Sequence, residues 1–78
     1  MKYCERLKKA RQTRGMTQQV VADCLEIPRT QLTRYERGIN ETSVHYLIKL
    51  CKLYNVSADY ILGLPAGLPH EIDEPDHD

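Results

Sequence analysis

Arg29, Thr30, Thr33 and Arg34 sit within six residues at a spacing that would turn them to one side of a helix. Leu32 and Tyr35, three apart, would turn to the other. A guanidinium can donate to two acceptors of one guanine, O6 and N7, and such a contact discriminates against a wrong base by ~1–3 kcal/mol. The threonines add hydroxyls for hydrogen bonding and methyl groups that can pack against a thymine methyl. Two apolar anchors inside and a row of donors outside suit a helix that enters the major groove of DNA N-terminus first. These four residues are therefore the expected base readers.

The elements that must position them can be read from residues 17–38, TQQVVADCLEIPRTQLTRYERG. Thr17 is suited to an N-cap, and Val21, Ala22 and Leu25 follow at helical spacing, so a short helix buried on one side is predicted. Pro28 cannot continue that helix but fits the first position of the next, which runs to Arg37 and is closed by Gly38 in a left-handed conformation. Gln18 opens the first of these helices, where free N–H groups and the dipole attract a phosphate. Arg37, Gly38 and Asn40 follow the second and would face the next phosphates. Thr17, Gln18, Arg37, Gly38 and Asn40 are thus the expected phosphate-positioning set.

Three more helices complete an all-α reading. The first spans about 2–14, with Tyr3, Leu7 and Ala10 inward, Lys8, Lys9 and Gln12 outward, and Gly15 closing it. Thr42 or Ser43 caps the fourth, whose inward stripe is Val44, Leu47, Leu50, Cys51 and Tyr54. Ser57 caps a short fifth helix through Leu62, with Asp59 in its first turn and Gly63 and Pro65 ending it. Ile61, Leu62 and Leu64 are candidates either for a dimer interface or for the core of the monomer.

The order Thr17-Gln18, Val21-Ala22, Leu25, Ile27, then a polar helix ending Tyr35-Glu36-Arg37-Gly38, resembles the Cro/C1-type (XRE-like) helix-turn-helix family. The likeness extends upstream to LKKARQTRGMTQ (7–18) and downstream to LIKLCKLYNVSADYILGL (47–64). It implies a five-helix, lambda-repressor-like DNA-binding domain. It also implies a transcriptional regulator, a repressor of phage or mobile-element kind, that binds double-stranded DNA as a homodimer on a palindromic operator. By the same resemblance Gln18 binds backbone phosphate and touches its neighbour on the third helix, Arg11 and Glu36 form a structural ion pair, and Tyr35 is an anchor. Two positions depart from the family pattern. Glu26 stands where a turn glycine is usual, at a cost on the order of 1 kcal/mol if its φ is positive. Pro28 replaces the usual Ser or Thr cap.

Charge is segregated along the chain. Residues 1–64 hold all eleven Lys and Arg against six acids, a formal +5, while residues 65–78 hold five acids and no Lys or Arg, a formal −5. The reading is a DNA-binding domain over 1–64, with the helix-turn-helix at 17–38, followed by an acidic tail over 65–78. The tail carries three of the four prolines and no helical periodicity, so it is expected to be extended or disordered. Its role is either solubilising or, by folding back on the basic face, a brake on nonspecific DNA binding.

Seventy-eight residues make one small domain, burying roughly 60% of the unfolded surface, with no room for a separate sensor domain. Apolar runs are too short to cross a bilayer and no apolar h-region follows Lys2, so a cytoplasmic address is expected. Cys4, Cys24 and Cys51 lack Cys-x-x-Cys spacing and read as reduced thiols. His45, His70 and His77 show no metal-ligand spacing. No enzyme, cofactor, metal or small-molecule ligand is expected. Alternatives that share the fold are a restriction-modification controller or an antitoxin. A further alternative is a protein-interaction module that no longer reads DNA.

Overall fold

A computed structural model describes residues 1–65, 67 and 68, and the expectations for the acidic tail beyond Leu68 lie outside them. Five helices follow one another: α1 (Tyr3–Thr13), α2 (Gln18–Leu25), α3 (Arg29–Arg37), α4 (Val44–Tyr54) and α5 (Ala58–Leu62). The all-α expectation holds, and there is no strand among the described residues. None of these helices is long and apolar enough to cross a membrane.

Each helix begins and ends where local chemistry directs. The hydroxyls of Thr17, Ser43 and Ser57 accept from the N–H groups of Val20, Tyr46 and Tyr60, so Ser43 and not Thr42 caps α4. Each cap satisfies one of the orphan donors of a first turn. The tight turn between α2 and α3 is made by Glu26, which adopts φ 57 and ψ 42, a left-handed conformation that glycine takes without steric penalty. Pro28 occupies the N-cap of α3 with ψ 144, and the first helical residue is Arg29, one position later than expected. Extended backbone at Pro28 leaves its carbonyl free to accept from Gln31 at 3.0 Å, and its ring supplies no side-chain cap.

α1 is the hub. It packs against α3, α4 and α5, while α2 packs against α3, and the inward faces close over Leu7, Val21, Leu32, Leu50, Tyr54 and Ile61. Burial of this kind contributes roughly 1.5–3 kcal/mol per large apolar side chain. Arg14 ties α1 to the end of α4, its Nε donating to the carbonyl of Tyr54 at 2.6 Å and its Nη2 to that of Asn55 at 3.3 Å. Orphan carbonyls of the last turn are thereby satisfied.

Two expectations require correction. Val44 is 70% exposed rather than inward, because Tyr3 of α1 and Tyr35 of α3 meet the start of α4 at Thr42 and Tyr46 instead, and the stripe that packs is Leu47, Leu50, Cys51 and Tyr54. Ile61 belongs to the core of the single chain, whereas Leu62 and Leu64 remain exposed. On a short helix packed against both α1 and α4, the residue on the inner side is consumed by the fold and only its flanks stay outside.

Candidate nucleic-acid interface

The outward side of α3 forms one wall of an open concave face lined by Arg29, Thr30, Thr33, Arg34 and Arg37, together with Gln18, Glu36, Ile39 and Lys8. All four expected base readers are brought together there. Leu32 and Tyr35 are buried on the opposite side of the helix, so packing of those two fixes its rotation. Tyr35 is an anchor by its burial in the core, and its hydroxyl accepts from Gln31 Nε2 of the same helix at 2.6 Å.

The floor of this face is a hydrogen-bonded network. Arg11 Nε donates to Glu36 Oε2 at 2.7 Å and Arg11 Nη2 to Glu36 Oε1 at 3.1 Å, the two-pronged pairing anticipated from the resemblance. The third nitrogen, Nη1, donates to the carbonyl of Met16 at 2.8 Å and so fixes the loop that leads into α2. The hydrogen bond to Glu36 holds the Arg11 guanidinium above its ordinary pKa, against the opposing effect of burial, so Arg11 keeps its charge.

Gln18 joins this pair to the exposed face. Its Nε2 donates to Glu36 Oε1 at 3.0 Å, and its Oε1 lies 3.1 Å from the hydroxyl of Thr33. The anticipated contact with α3 is therefore made, and the orientation of the amide is set from both ends. An amide nitrogen has two N–H groups, so one remains for an incoming acceptor. Thr33 Oγ1 is also 3.1 Å from the carbonyl of Arg29, and its single proton serves one of these acceptors at a time. Its oxygen keeps a lone pair for an outside donor, and its methyl group is not engaged by these bonds.

The remaining expected residues lie around the rim. Thr17 uses its hydroxyl on Val20, and capping leaves the N–H groups of Gln18 and Gln19 at the start of α2. The arginine at 34 reaches Asn40, whose amide, in the orientation that satisfies both its groups, accepts from Arg34 Nε at 3.1 Å and donates to the carbonyl of Ile39 at 3.2 Å. Gly38 has φ 74, and a Cβ there would come within 3.2 Å of Cys4 Sγ, so only glycine closes α3 this tightly against α1. Arg37, Gly38 and Asn40 are all exposed where the chain leaves α3.

Lys8 and Ile39 on this face were not among the expected contacts. Lys8 was legible only as outward; it lies three residues before Arg11, one turn along the same side of α1, so the Arg11–Glu36 pairing was the signal that could have placed it. Glu36 is the one acid among the lining residues, and with only 2% of its side chain exposed and Arg11 against it, it does not cancel the surrounding positive charge. No group of metal-ligating side chains occurs among the described residues.

Comparison with known proteins gives the following likenesses. Residues 7–61 match the helix-turn-helix family. The HTH-type transcriptional regulator ImmR of Bacillus subtilis (strain 168) is 46% identical over 63 residues, which are 81% of this chain and 50% of that protein. From the same bacterium, the uncharacterized HTH-type transcriptional regulator YqaE is 42% identical over 60 residues, 77% of this chain and 52% of its own. The SPbeta prophage-derived uncharacterized HTH-type transcriptional regulator YonR is 43% identical over 60 residues, 77% of this chain and 56% of its own. This chain thus spans about half the length of the curated relatives it matches.

Proposed function

The chain belongs to the Cro/C1-type helix-turn-helix family, and from that premise we propose that it is a transcriptional regulator that binds double-stranded DNA sequence-specifically and acts as a repressor. The observation that carries this reading is the outward face of α3, where Arg29, Thr30, Thr33 and Arg34 stand together with Lys8 and Arg37 on a face whose only acid among the described residues is buried and paired. Arg29, at the N-terminus of α3, and Arg34, one turn further on, each offer a fork of donors to the acceptors of a guanine. Thr30 and Thr33 contribute a hydroxyl or a methyl contact.

Thr17, Gln18, Arg37, Gly38 and Asn40 hold the phosphates on either side, and Lys8 adds a further cation. These contacts fix the register without reading sequence. Residues 1–64 do this work and residues 65–78 form an acidic tail. One domain makes few base contacts, so the protein binds as a two-fold dimer on a palindromic site, with the exposed Leu62 and Leu64 at the interface. The prophage origin of one relative supports a repressor of phage or mobile-element kind.

Selection of bound sequences from a random duplex library tests this reading directly. Wild-type protein enriches a palindrome, and the double variant Arg29→Ala, Arg34→Ala loses that enrichment while keeping its helical circular dichroism. A folded wild-type protein that enriches no sequence would overturn it and favour a protein-interaction module.

A further inference from the structure

The basic face has a potential ligand within its own chain. Lys8, Arg29, Arg34 and Arg37 line it, and Glu36 beneath them is already paired with Arg11. The residues that follow the described part, 69–78, carry Glu71, Asp73, Glu74, Asp76 and Asp78 with no Lys or Arg. The positive and negative halves of a neutral chain are therefore a cationic concave surface and an anionic segment.

Geometry permits them to meet. α5 ends against α1, where a Cβ on Gly63 would lie 2.9 Å from Arg6 Nη1. Lys8 is two residues along the same helix, roughly half a turn around it. Half the girth of a helix ~10–12 Å across is roughly 17 Å, whereas the segment 69–78 can reach at most about 33–36 Å. The acids thus have the length to pass around α1 onto the face that carries Lys8 and the arginines.

We propose that the segment 69–78 occupies the basic α3 face in the absence of DNA and competes with DNA for it. This inference rests on the DNA-binding reading above and adds an internal competitor to it. A tail of carboxylates offers the same cations what a row of phosphates offers, without bases for the α3 donors to read. The tail must leave the face before any duplex binds, so it lowers the apparent affinity for operator and for nonspecific duplex by the same factor, and only the duplex with the higher intrinsic affinity stays bound at a given protein concentration. The contact is between exposed charges and weakens as salt shortens the screening length, which is about 10 Å at 0.1 M.

The test compares the full chain with a variant carrying Glu71→Gln, Asp73→Asn, Glu74→Gln, Asp76→Asn and Asp78→Asn. In the free proteins at low salt, the Nε–Hε resonances of Arg29, Arg34 and Arg37 shift between the two, while that of Arg14, held by the carbonyls of Tyr54 and Asn55, stays in place. With random-sequence duplex, the variant binds about tenfold tighter at ~20 mM salt and within about twofold at ~300 mM. Unshifted resonances of Arg29, Arg34 and Arg37, or an equal shift at Arg14, would overturn the docking and leave the tail as net charge only. Shifted resonances with equal low-salt affinities would overturn the competition. Shifted resonances with no duplex binding by either protein would uphold the contact and overturn the DNA-binding reading instead.

Discussion

Arg11 and Glu36, separated by 25 residues in sequence, meet side by side through two hydrogen bonds of 2.7 and 3.1 Å at the floor of the face that carries the α3 arginines. The pair does three things at once. It locks α1 to the end of α3, it neutralises the one acid beneath a basic surface, and through Gln18 it orients Thr33. Replacement of either partner alone by alanine strands a buried charge, and a loss of about 3–5 kcal/mol in urea-unfolding free energy is expected. The double variant Arg11→Ala, Glu36→Ala should lose clearly less than the sum of the two single losses, since no charge is then left unpaired. Additive losses in the double variant would show that the two side chains do not act as a pair.

Arg29 and Arg34 are exposed and take no part in the buried network, so their removal tests recognition without testing the fold. Each single alanine variant should lose ~1–3 kcal/mol of affinity for the selected operator and relax preference at one base position. Lys8→Ala, by contrast, should weaken all duplexes alike and lower the salt dependence by about one counterion. Quantitative titrations over a salt series separate these patterns, and a uniform loss for Arg34→Ala would move that residue to the phosphate contacts.

The left-handed turn at Glu26, φ 57, is a position where glycine is the better residue. Glu26→Gly should stabilise the domain by ~1 kcal/mol or less, because relief of backbone strain is offset by the greater freedom of glycine in the unfolded chain. DNA affinity should be unchanged. Thermal unfolding measures the first and titration the second. A clear loss of stability would mean that the glutamate side chain contributes something beyond its backbone conformation.

Tyr54 is fully buried, and its hydroxyl is pushed well above the ordinary tyrosine range, first by burial, then by the carboxylate of Glu36, against the opposing pull of Arg11. Below about pH 10 both folded and unfolded chains keep this proton. Above that, the unfolded chain releases it while the folded chain holds it, so folding stability falls as pH rises, by up to ~1.4 kcal/mol per pH unit from this group. Tyr54→Phe should show a shallower decline than wild type between about pH 9.5 and 11 in urea midpoints. Identical slopes would place the proton elsewhere.

The sequence by itself determined the helices and most of their caps. It left the α4 cap open between Thr42 and Ser43, put Pro28 one position too far into α3, and gave no sign that Asn55 closes α4 in a left-handed conformation. Thr17, Ser57, Gly15, Gly38 and Gly63 act through hydrogen bonds and backbone conformations confined to a few neighbouring residues, which any reader of the local chain can anticipate. The split between anchors and donors on α3 was legible for the same reason, since a period of 3.6 residues separates Leu32 and Tyr35 from Arg29 and Arg34. Resemblance to a family supplied the Arg11–Glu36 pair, which no local rule could reach.

Only the tertiary structure decided how far each inward face extends and what a residue called outward looks toward. Val44 continues the apolar period of α4 and is nonetheless exposed, because α1 and α3 meet that end through Tyr3 at Thr42 and Tyr35 at Tyr46 and leave Val44 uncovered. Ile61 left the candidate interface for the core because α5 lies against both α1 and α4. Lys8 joined the basic face because α1 packs on α3 with that side turned toward the arginines. Periodicity sets the direction of a side chain about its own helix axis, but whether protein or solvent stands in that direction depends on where other helices end.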